Sequence, residues 1–333
     1  MQRRYADGSS RGPRKEKPAG YVDRTVSARR VAYAQLLVVA VLFGGTWPAG
    51  KVAVDHAPPL TIAFVRFFFS SILLWAWSRY RGRAVPLPKR EDLKLVAALG
   101  ISGIAVYNAF FLFGLQRTPA TDGSILVPGL IPVMTTLLAW RVFRERPTRQ
   151  VAIGFAIAIA GLLVVVDPGG SESTHRLVGD GILVGASVCW AIYTILGRAA
   201  TTRFDSVLAT TYAAAAGALI LLPFSIPGWS KLAHAPAVTW LSIAYLAPLG
   251  TVVAFVLFYE GVRKIGSAKA AAFTLLVPVF GVTSSVVVLG EPLRWEIAVG
   301  GAVVLAGLWL VQRVPRPQAA APVPAAQEAQ SRA

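Results

Sequence analysis

Hydrophobic and polar residues alternate along this chain in long blocks. Ten runs of mostly apolar residues, each about 16 to 21 residues long, are separated by short polar segments. A bilayer-spanning helix needs about 20 apolar residues, so each run predicts a transmembrane helix. Numbered one to ten in chain order, the segments cover 31–50, 59–77, 95–115, 123–140, 148–166, 179–196, 206–224, 240–259, 270–289 and 295–311.

One stretch of the pattern occurs twice. Residues 132–165 align without a gap on residues 278–311 when 146 is added to each number, and eleven positions are identical. The matches include Pro132/Pro278, Glu145/Glu291, Gly154/Gly300 and Gly161/Gly307. Chance matching among apolar residues does not bring a proline, a glutamate and two glycines into step, so we interpret the pattern as a duplication.

The duplication predicts a topology. Each copy holds five segments, an odd number, so the second copy enters the membrane inverted relative to the first. Inverted repeats are typical of secondary transporters, in which two such halves exchange inward-open and outward-open shapes around a site at the midplane. The predicted fold class is therefore an all-α integral membrane protein, with ten transmembrane helices arranged as two inverted five-helix repeats.

Composition supports the membrane assignment. The chain is 55% hydrophobic and only 15% charged, with a mean hydropathy of +0.58. Ordinary soluble domains carry about 25% charged residues, so that class is excluded. The single cysteine, Cys189, cannot form an intramolecular disulfide and indicates no redox compartment.

The net charge of +17 could indicate a nucleic-acid partner, but its distribution favours another interpretation. If the N-terminus is cytoplasmic, 27 Lys and Arg residues fall on the inner side and five in the outer loops. The outer five are Lys51, Arg117, Arg176, Lys231 and Arg294. This bias follows the positive-inside rule and predicts a multi-pass protein of the cytoplasmic membrane with both termini inside. Anionic lipid is then the expected partner, and nucleic acid is not.

The predicted domains follow from these segments. Residues 1–30 form a basic cytoplasmic arm expected to be disordered, because they are polar and lack a hydrophobic period. The first repeat covers 31–166, a periplasmic linker 167–178 and the second repeat 179–313, and a disordered cytoplasmic tail covers 314–333. The arm is too long and polar for a signal peptide, and no small-residue cleavage site follows it.

Several short motifs resemble the EamA branch of the drug/metabolite transporter superfamily. They are Phe43-Gly44 with Lys51, Phe64-Val65-Arg66-Phe67, Pro132 with Glu145 and Gly161, Gly179-Asp180 with Cys189-Trp190-Ala191-Ile192-Tyr193, and Pro278 with Leu289-Gly290-Glu291 and Gly307. The resemblance covers nearly everything between the two ends. It implies a central cavity lined chiefly by helices one, three, four, six, eight and nine, and export of amino acids or other small metabolites.

The resemblance turns particular polar and aromatic residues toward that cavity. Aromatic walls with a few hydrogen-bonding groups suit small amphiphilic ligands. The alternative is that residues near helix ends, such as Trp47 and Tyr259, belong to the interfacial aromatic belts. The candidate substrate-binding residues are Thr46, Trp47, Arg66, Tyr107, Asn108, Pro132, Trp190, Tyr193, Thr251, Thr274 and Pro278.

Arg66 is the strongest single candidate. It lies seven residues after Pro59, about 10 Å along a helix that rises 1.5 Å per residue. A charge at such depth costs about 2.5 to 3.5 kcal/mol on insertion scales, which favours a functional role. A purely structural role, with the guanidinium paired to backbone carbonyls or to Asp55 or Asp122, stays open.

Carboxylates are weaker candidates. Glu145 and Glu291 end oppositely directed helices, so we expect them on opposite sides of the membrane, where each caps and orients the next helix. Asp122, at the outer mouth of helix four, is the candidate for proton coupling. Alanines spaced four apart, at 152, 156 and 160 and again at 298, 302 and 306, predict that helices five and ten pack or dimerise rather than line the cavity.

The resulting hypothesis is a secondary active transporter that exports small organic metabolites, with uptake or exchange by the same fold as an alternative. No catalytic constellation, metal-ligand spacing or phosphate-binding loop is recognisable, so we predict no enzyme activity, no cofactor and no metal. Rival classes are a membrane-embedded enzyme and a non-transporting sensor or lipid-binding scaffold. The expected partners are a small-molecule substrate and lipids, in a monomer or a homodimer.

Overall fold

A computed structural model describes residues 19–144, 146–166 and 174–313 of the chain. Ten of its helices are long and apolar enough to cross a membrane, which confirms the predicted all-α, ten-span fold. The spans are α1 (Arg30–His56), α2 (Pro59–Tyr80), α3 (Arg90–Leu115), α4 (Ala120–Phe143), α5 (Arg149–Val166), α6 (Thr174–Ala200), α7 (Ser206–Ala233), α8 (Ala237–Ile265), α9 (Lys269–Leu289) and α10 (Trp295–Gln312).

Several helices extend beyond the predicted apolar segments. The helix that contains α1 begins at Ala19, inside the arm expected to be disordered, because no proline or glycine interrupts residues 21–30. The helix α6 begins at Thr174, inside the predicted linker. The rest of the arm and linker, and the predicted tail, lie outside the described residues.

Ten antiparallel spans put the first residue of α1 and the last residue of α10 on one side of the membrane. We call this side, which carries most of the lysines and arginines of the loops, the basic face, and the other side the opposite face. At the opposite face, α3 is followed by α4, α5 by α6, and α9 by α10. These three junctions hold the charged residues described below.

Two spans change helix type in their middle. In α3 the residues Gly100–Val106 are π-helical, and in α8 the residues Pro248–Val253 are π-helical. A π-turn widens the helix by one residue per turn and redirects the side chains that follow it, and such turns occur frequently at functional sites. The span α9 is also interrupted, at Leu275, where one helical piece ends at Thr274 and the next begins at Leu276.

The spans α5 and α10 pack closely on each other through the duplicated glycines. A Cβ atom on Gly161 would lie 2.7 Å from the carbonyl oxygen of Gly300, and one on Gly154 would lie 2.8 Å from that of Gly307. The sequence prediction that α5 and α10 pack is right for this pair, but the glycines form the contact and the alanines do not, so a role of the alanines in dimerisation stays a prediction. The alanines at 152, 156, 160, 298, 302 and 306 are exposed on the outside of the bundle, because they lie on other faces of the same helices.

The remaining spans surround a central space. The span α1 packs against α8 and α9, α2 packs against α7, and α6 packs against α3 and α4. The span α4 also contacts α9, so the two proline-containing spans of the duplicated stretch face each other. This packing leaves a cavity between the two halves of the chain.

Candidate functional site

A cavity of about 280 Å³ lies in the middle of the bundle. All eleven residues proposed from the sequence for substrate binding line it: Thr46, Trp47, Arg66, Tyr107, Asn108, Pro132, Trp190, Tyr193, Thr251, Thr274 and Pro278. Their contribution to binding stays a prediction. Every described span except α5 supplies lining residues, so α2, α7 and α10 join the six helices that the family resemblance implied. The prediction that helix ten does not line the cavity was therefore wrong, because Leu308 and Gln312 lie at its surface.

Aromatic rings form one continuous wall of this cavity. The ring of Trp47 meets that of Phe111 edge to face, with centroids 4.9 Å apart, and Phe111 stacks on Tyr107 at 6.0 Å. Tyr107 then contacts Trp190 at 4.8 Å, and Trp190 contacts Tyr193 at 5.3 Å. Trp47 is only 4% exposed, so it belongs to the interior and not to an interfacial belt. The wall offers ring faces to an apolar or cationic group.

Arg66 lies at the cavity surface and is 8% exposed. Its Nε and Nη2 each donate to Oγ1 of Thr251 at 3.2 Å, and its Nη1 donates to Oδ1 of Asn108 at 3.3 Å. The guanidinium also lies over the ring of Phe67, with Cζ 4.9 Å from the centroid. Neither Asp55 nor Asp122 contacts it, so the expected carboxylate pairing was wrong.

The two neutral acceptors of Arg66 are positioned by the π-helical segments. Thr251 lies within the segment of α8, where its hydroxyl also donates to the carbonyl oxygen of Leu246 at 2.9 Å. Asn108 follows the segment of α3, and its amide donates to the carbonyl oxygen of Ile104 at 2.8 Å. Both side chains are held by their own helices while an oxygen atom of each faces Arg66, so the three form a preorganised polar group.

Prolines line the cavity from the facing spans α4 and α9. Pro128, Pro132 and Pro278 all contribute to its surface. An internal proline removes a hydrogen bond to the carbonyl four residues earlier, and a cavity can accommodate the freed oxygen. The two duplicated prolines, Pro132 and Pro278, differ in their effect on the helix. The span α4 is continuous through Pro132, whereas α9 is interrupted at Leu275, shortly before Pro278.

The polar residues that remain from the predicted list bond mainly to their own helices. The hydroxyl of Thr46 donates to the carbonyl oxygen of Phe43 at 2.6 Å, and that of Thr274 to Ala271 at 2.7 Å. Tyr259 does not line the cavity, and its hydroxyl lies 3.1 Å from that of Thr210. These bonds leave Thr46 and Thr274 free to accept from a bound molecule.

The cavity extends toward the basic face. Gln312, the last residue of α10, lines it and is exposed at the surface. Thr274, five residues from the start of α9, also lines this part. The opening at the basic face therefore connects the aromatic wall and Arg66 to the surface.

The opposite face is closed by buried charges. Asp122 is 2% exposed and pairs with Arg176 at 2.5 Å, while Arg294 lies 3.9 Å away. Close by, the hydroxyl of Thr118 donates to Oδ1 of Asp180 at 3.0 Å. Arg176, expected in an outer loop, is instead buried in the first turn of α6. Asp122 does not line the cavity, and its role in proton coupling stays a prediction.

Glu291 completes this closure. Its two carboxylate oxygens accept hydrogen bonds from the backbone N–H groups of Ala120 and Thr121, each at 2.8 Å. Glu291 therefore caps the N-terminus of α4, in the other half of the chain, and not the next helix α10 as the sequence indicated. Its duplicated counterpart Glu145 lies outside the described residues.

Some lining residues were missed by sequence reasoning. Phe111 lies four positions after Tyr107, so helical spacing alone could have placed both rings on one face. Phe43 and Phe255, whose centroids are 5.5 Å apart, form a second aromatic contact at the cavity. Thr210 and Gln312 carry no signal in the sequence, because their place depends on how α7 and α10 pack.

The fold and the cavity together define a multi-pass membrane protein with an internal cavity. The chain belongs to the EamA-like transporter family, whose model matches residues 30–167 and 177–313. The family resemblance drawn from the sequence is thereby confirmed, and it places the protein among transporters and not among enzymes. The two matched segments adjoin at the α5–α6 connection.

Individual relatives agree with this placement. An uncharacterized transporter of Archaeoglobus fulgidus is 28% identical over 278 residues, which are 83% of this chain and 95% of the relative. The uncharacterized transporter YyaM of Bacillus subtilis is 29% identical, covering 83% of this chain and 92% of YyaM. A probable terminal-alkyne amino-acid exporter of Streptantibioticus cattleyicolor is 28% identical, over 84% and 92% of the two chains.

The fold is also found in a solved structure. A crystal structure covering 87% of this chain and 99% of its own superposes with a TM-score of 0.59. Its sequence identity of 18% supports a common fold only.

Proposed function

We propose that this protein is a secondary active transporter that works by alternating access and exports small organic metabolites across the cytoplasmic membrane. The observation that carries the proposal is the central cavity, which reaches the basic face at Gln312 and is closed at the opposite face by the cluster around Asp122. A binding space open to one side only is what one end state of alternating access requires.

Two structural features support an arrangement as inverted repeats. Gly154 contacts Gly307, which is the duplicated counterpart of Gly161, and Gly161 contacts Gly300, which is the counterpart of Gly154. A two-fold relation between the halves predicts this exchange of contacts. The π-helical segments of α3 and α8 also fall at nearly matching positions of the two halves. We infer that the two halves, residues 31–166 and 179–313, rock against each other around the cavity.

Export places the basic face in the cytoplasm. The excess of lysine and arginine on that side follows the positive-inside rule, so we propose that both termini are cytoplasmic. The cavity then opens to the cytoplasm, where a metabolite to be exported would enter.

A metabolite of the amino-acid type is the proposed cargo. The cavity combines ring faces with hydroxyl, amide and guanidinium groups, which suits a small amphiphilic molecule. The amino-acid exporter of Streptantibioticus cattleyicolor supports the same class by similarity.

The experiment is a counterflow assay with purified protein in proteoliposomes. We expect uptake of labelled compound against a preload for at least one member of an amino-acid and carboxylic-acid panel, with and without a pH gradient. The control is a Tyr193→Ala variant, which removes part of the aromatic wall and should slow counterflow. Flat traces across the whole panel, from protein shown to be folded, would count against transport and in favour of a sensor or scaffold.

A further inference from the structure

We propose that Arg66 is an anion-recognition residue, and that the substrate carries one carboxylate on an apolar body. This inference rests on the proposed function, because it names the cargo of the same cavity. Among the described residues that line the cavity, Arg66 is the only charged one.

The guanidinium is buried, and no carboxylate of the residues that the structure describes pairs with it. It contacts the neutral oxygens of Thr251 and Asn108 and the ring of Phe67, and none of these carries a negative charge. Burying a charge is costly unless it is paired, and removing one member of a buried pair is strongly destabilising. A ligand anion supplies the missing charge, so Arg66 binds an anion more strongly than an exposed arginine does.

The guanidinium also keeps hydrogen-bond donors for such a ligand. It has five N–H groups. The bonds to Thr251 and Asn108 use one donor on each nitrogen, which leaves one on Nη1 and one on Nη2 without an acceptor among the described residues. Two donors on the terminal nitrogens match the two oxygens of a carboxylate.

The rest of the lining selects the body of the ligand. The wall from Trp47 to Tyr193 is aromatic, and the proline and glycine residues add further apolar surface. A single cation matches a single negative charge, so a dianionic phosphate monoester would leave one charge unpaired. A monocarboxylate with an apolar or aromatic body satisfies both the charge and the wall.

The test measures binding of two matched probes to the full chain in lipid nanodiscs at neutral pH. The probes are radiolabelled hydrocinnamate and its neutral amide, which differ in charge and share the same body. We expect wild-type protein to bind hydrocinnamate and to bind the amide at least tenfold more weakly. Hydrogen bonds to charged groups correspond to about tenfold to a hundredfold in affinity, so Arg66→Gln should weaken hydrocinnamate binding by that factor.

Two further variants separate recognition from structure. Asn108→Asp places a carboxylate beside Arg66 without changing the size of the side chain, so we expect it to abolish hydrocinnamate binding. The variant loses the amide donation to Ile104 and gains an ion pair with Arg66, so we expect a melting temperature close to wild type. Arg66→Lys should retain part of the affinity. The matched control is Arg79→Gln, an exposed arginine at the other end of α2, which should bind like wild type.

The outcomes distinguish this inference from the transport proposal. Equal binding of both probes, binding of neither, or unchanged hydrocinnamate affinity in both Arg66→Gln and Asn108→Asp would overturn it. If hydrocinnamate binds through Arg66 but no compound of the panel shows counterflow, the transport proposal fails and the anion site stands. If neutral or cationic compounds show counterflow and no carboxylate binds, transport stands and the anion site fails.

Discussion

The two ends of the cavity are held by different kinds of ion pair. At the opposite face, Asp122 and Arg176 are paired with side chains only 3% and 4% exposed. At the basic face, Arg83 pairs with Asp205 at 2.6 Å, and these side chains are 43% and 53% exposed. Removing one partner of a buried pair strongly destabilises the protein, whereas an exposed pair contributes only about 0 to 1 kcal/mol to the free energy of unfolding. The pair of Asp122 with Arg176, in which both side chains are buried, therefore lies at the closed end, whereas the pair of Arg203 with Asp92 at the basic face buries only the carboxylate.

The pairs also join different parts of the bundle. The contacts of the opposite face connect α4 to α6 and to the segment between α9 and α10, and thus connect the two halves of the chain. At the basic face, the pair of Arg83 with Asp205 connects the loops that follow α2 and α6, and no described ion pair there holds α4 to α9. In the proposed cycle, opening the opposite face requires the Asp122 and Glu291 contacts to separate. The following variants test that difference.

The largest effect is expected from Asp122→Ala. The change removes the carboxylate that pairs with the buried Arg176, and breaking a buried pair on one side corresponds to about 3 to 5 kcal/mol of destabilisation. We expect a lower melting temperature in detergent and greater accessibility of the cavity from the opposite face. Accessibility is read in sealed membranes by labelling Thr46→Cys, in a Cys189→Ser background, with a membrane-impermeant thiol reagent added only on the side of the opposite face, so that the opening at the basic face does not contribute.

The control for this prediction lies on the same face. Asp55 pairs with Lys51 at 3.0 Å, and its side chain is 44% exposed. Asp55→Ala should change stability by less than about 1 kcal/mol and leave the labelling of the Thr46→Cys thiol slow. Equal effects of the two aspartate variants would contradict a special role for burial.

Glu291→Ala is expected to have the next largest effect. It removes two charge-assisted hydrogen bonds to the backbone of Ala120 and Thr121, each of the kind that contributes about 1.5 to 3 kcal/mol, and the stabilisation of the α4 helix dipole. The expected result is faster labelling from the opposite face and a shift of counterflow kinetics. Glu291→Gln should retain part of the cap.

Glu91 provides the comparison for Glu291, because it is exposed at the basic face. Glu91→Ala should leave both labelling and melting temperature close to wild type. If Glu291→Ala labels as slowly as Glu91→Ala, the cap does not contribute to closure.

Gly161→Ala tests the contact between α5 and α10, which lies between the two faces of the membrane. The added Cβ would lie 2.7 Å from the carbonyl of Gly300, so α5 and α10 must move apart, at a cost of about 1 to 3 kcal/mol. The span α5 contacts the cluster around Asp122 only at its end, where the carbonyl oxygen of Val165 accepts from Arg176 and Arg294, so we expect lower stability with a smaller increase in labelling than in Asp122→Ala. The matched control is Gly197→Ala in α6, where the added atom meets nothing within 4 Å.

Much of the fold and of the candidate site follows from local pattern. Hydropathy predicts all ten spans, since each must bury its backbone in lipid, and helical spacing with the family resemblance selects eleven residues that line one cavity. Most spans were predicted too short, because the apolar windows stop near the first charged residues while the helices continue past them; α5, α9 and α10 were predicted to within one residue.

The closed end could not be predicted in the same way. Arg176 lies just before the sixth predicted segment and Asp180 is its second residue, and charged residues near the end of a span usually face water. The packing of α6 against α4 buries them. Glu291 acts on Ala120, which is 171 positions away, so no local signal connects the two. The choice of glycine over alanine as the contact between α5 and α10 depends on how each helix is rotated, and both residues satisfy the small-residue pattern.

The smallest effect is expected from Arg83→Gln at the basic face. The variant removes the exposed pair with Asp205, which contributes about 0 to 1 kcal/mol and is screened by salt. We expect a melting temperature close to wild type, with any difference disappearing as the salt concentration rises. Asp122→Ala should keep its larger effect at high salt, because burial shields that pair from screening. A salt-independent loss of stability in Arg83→Gln as large as that of Asp122→Ala would show that both ends of the cavity are held equally firmly.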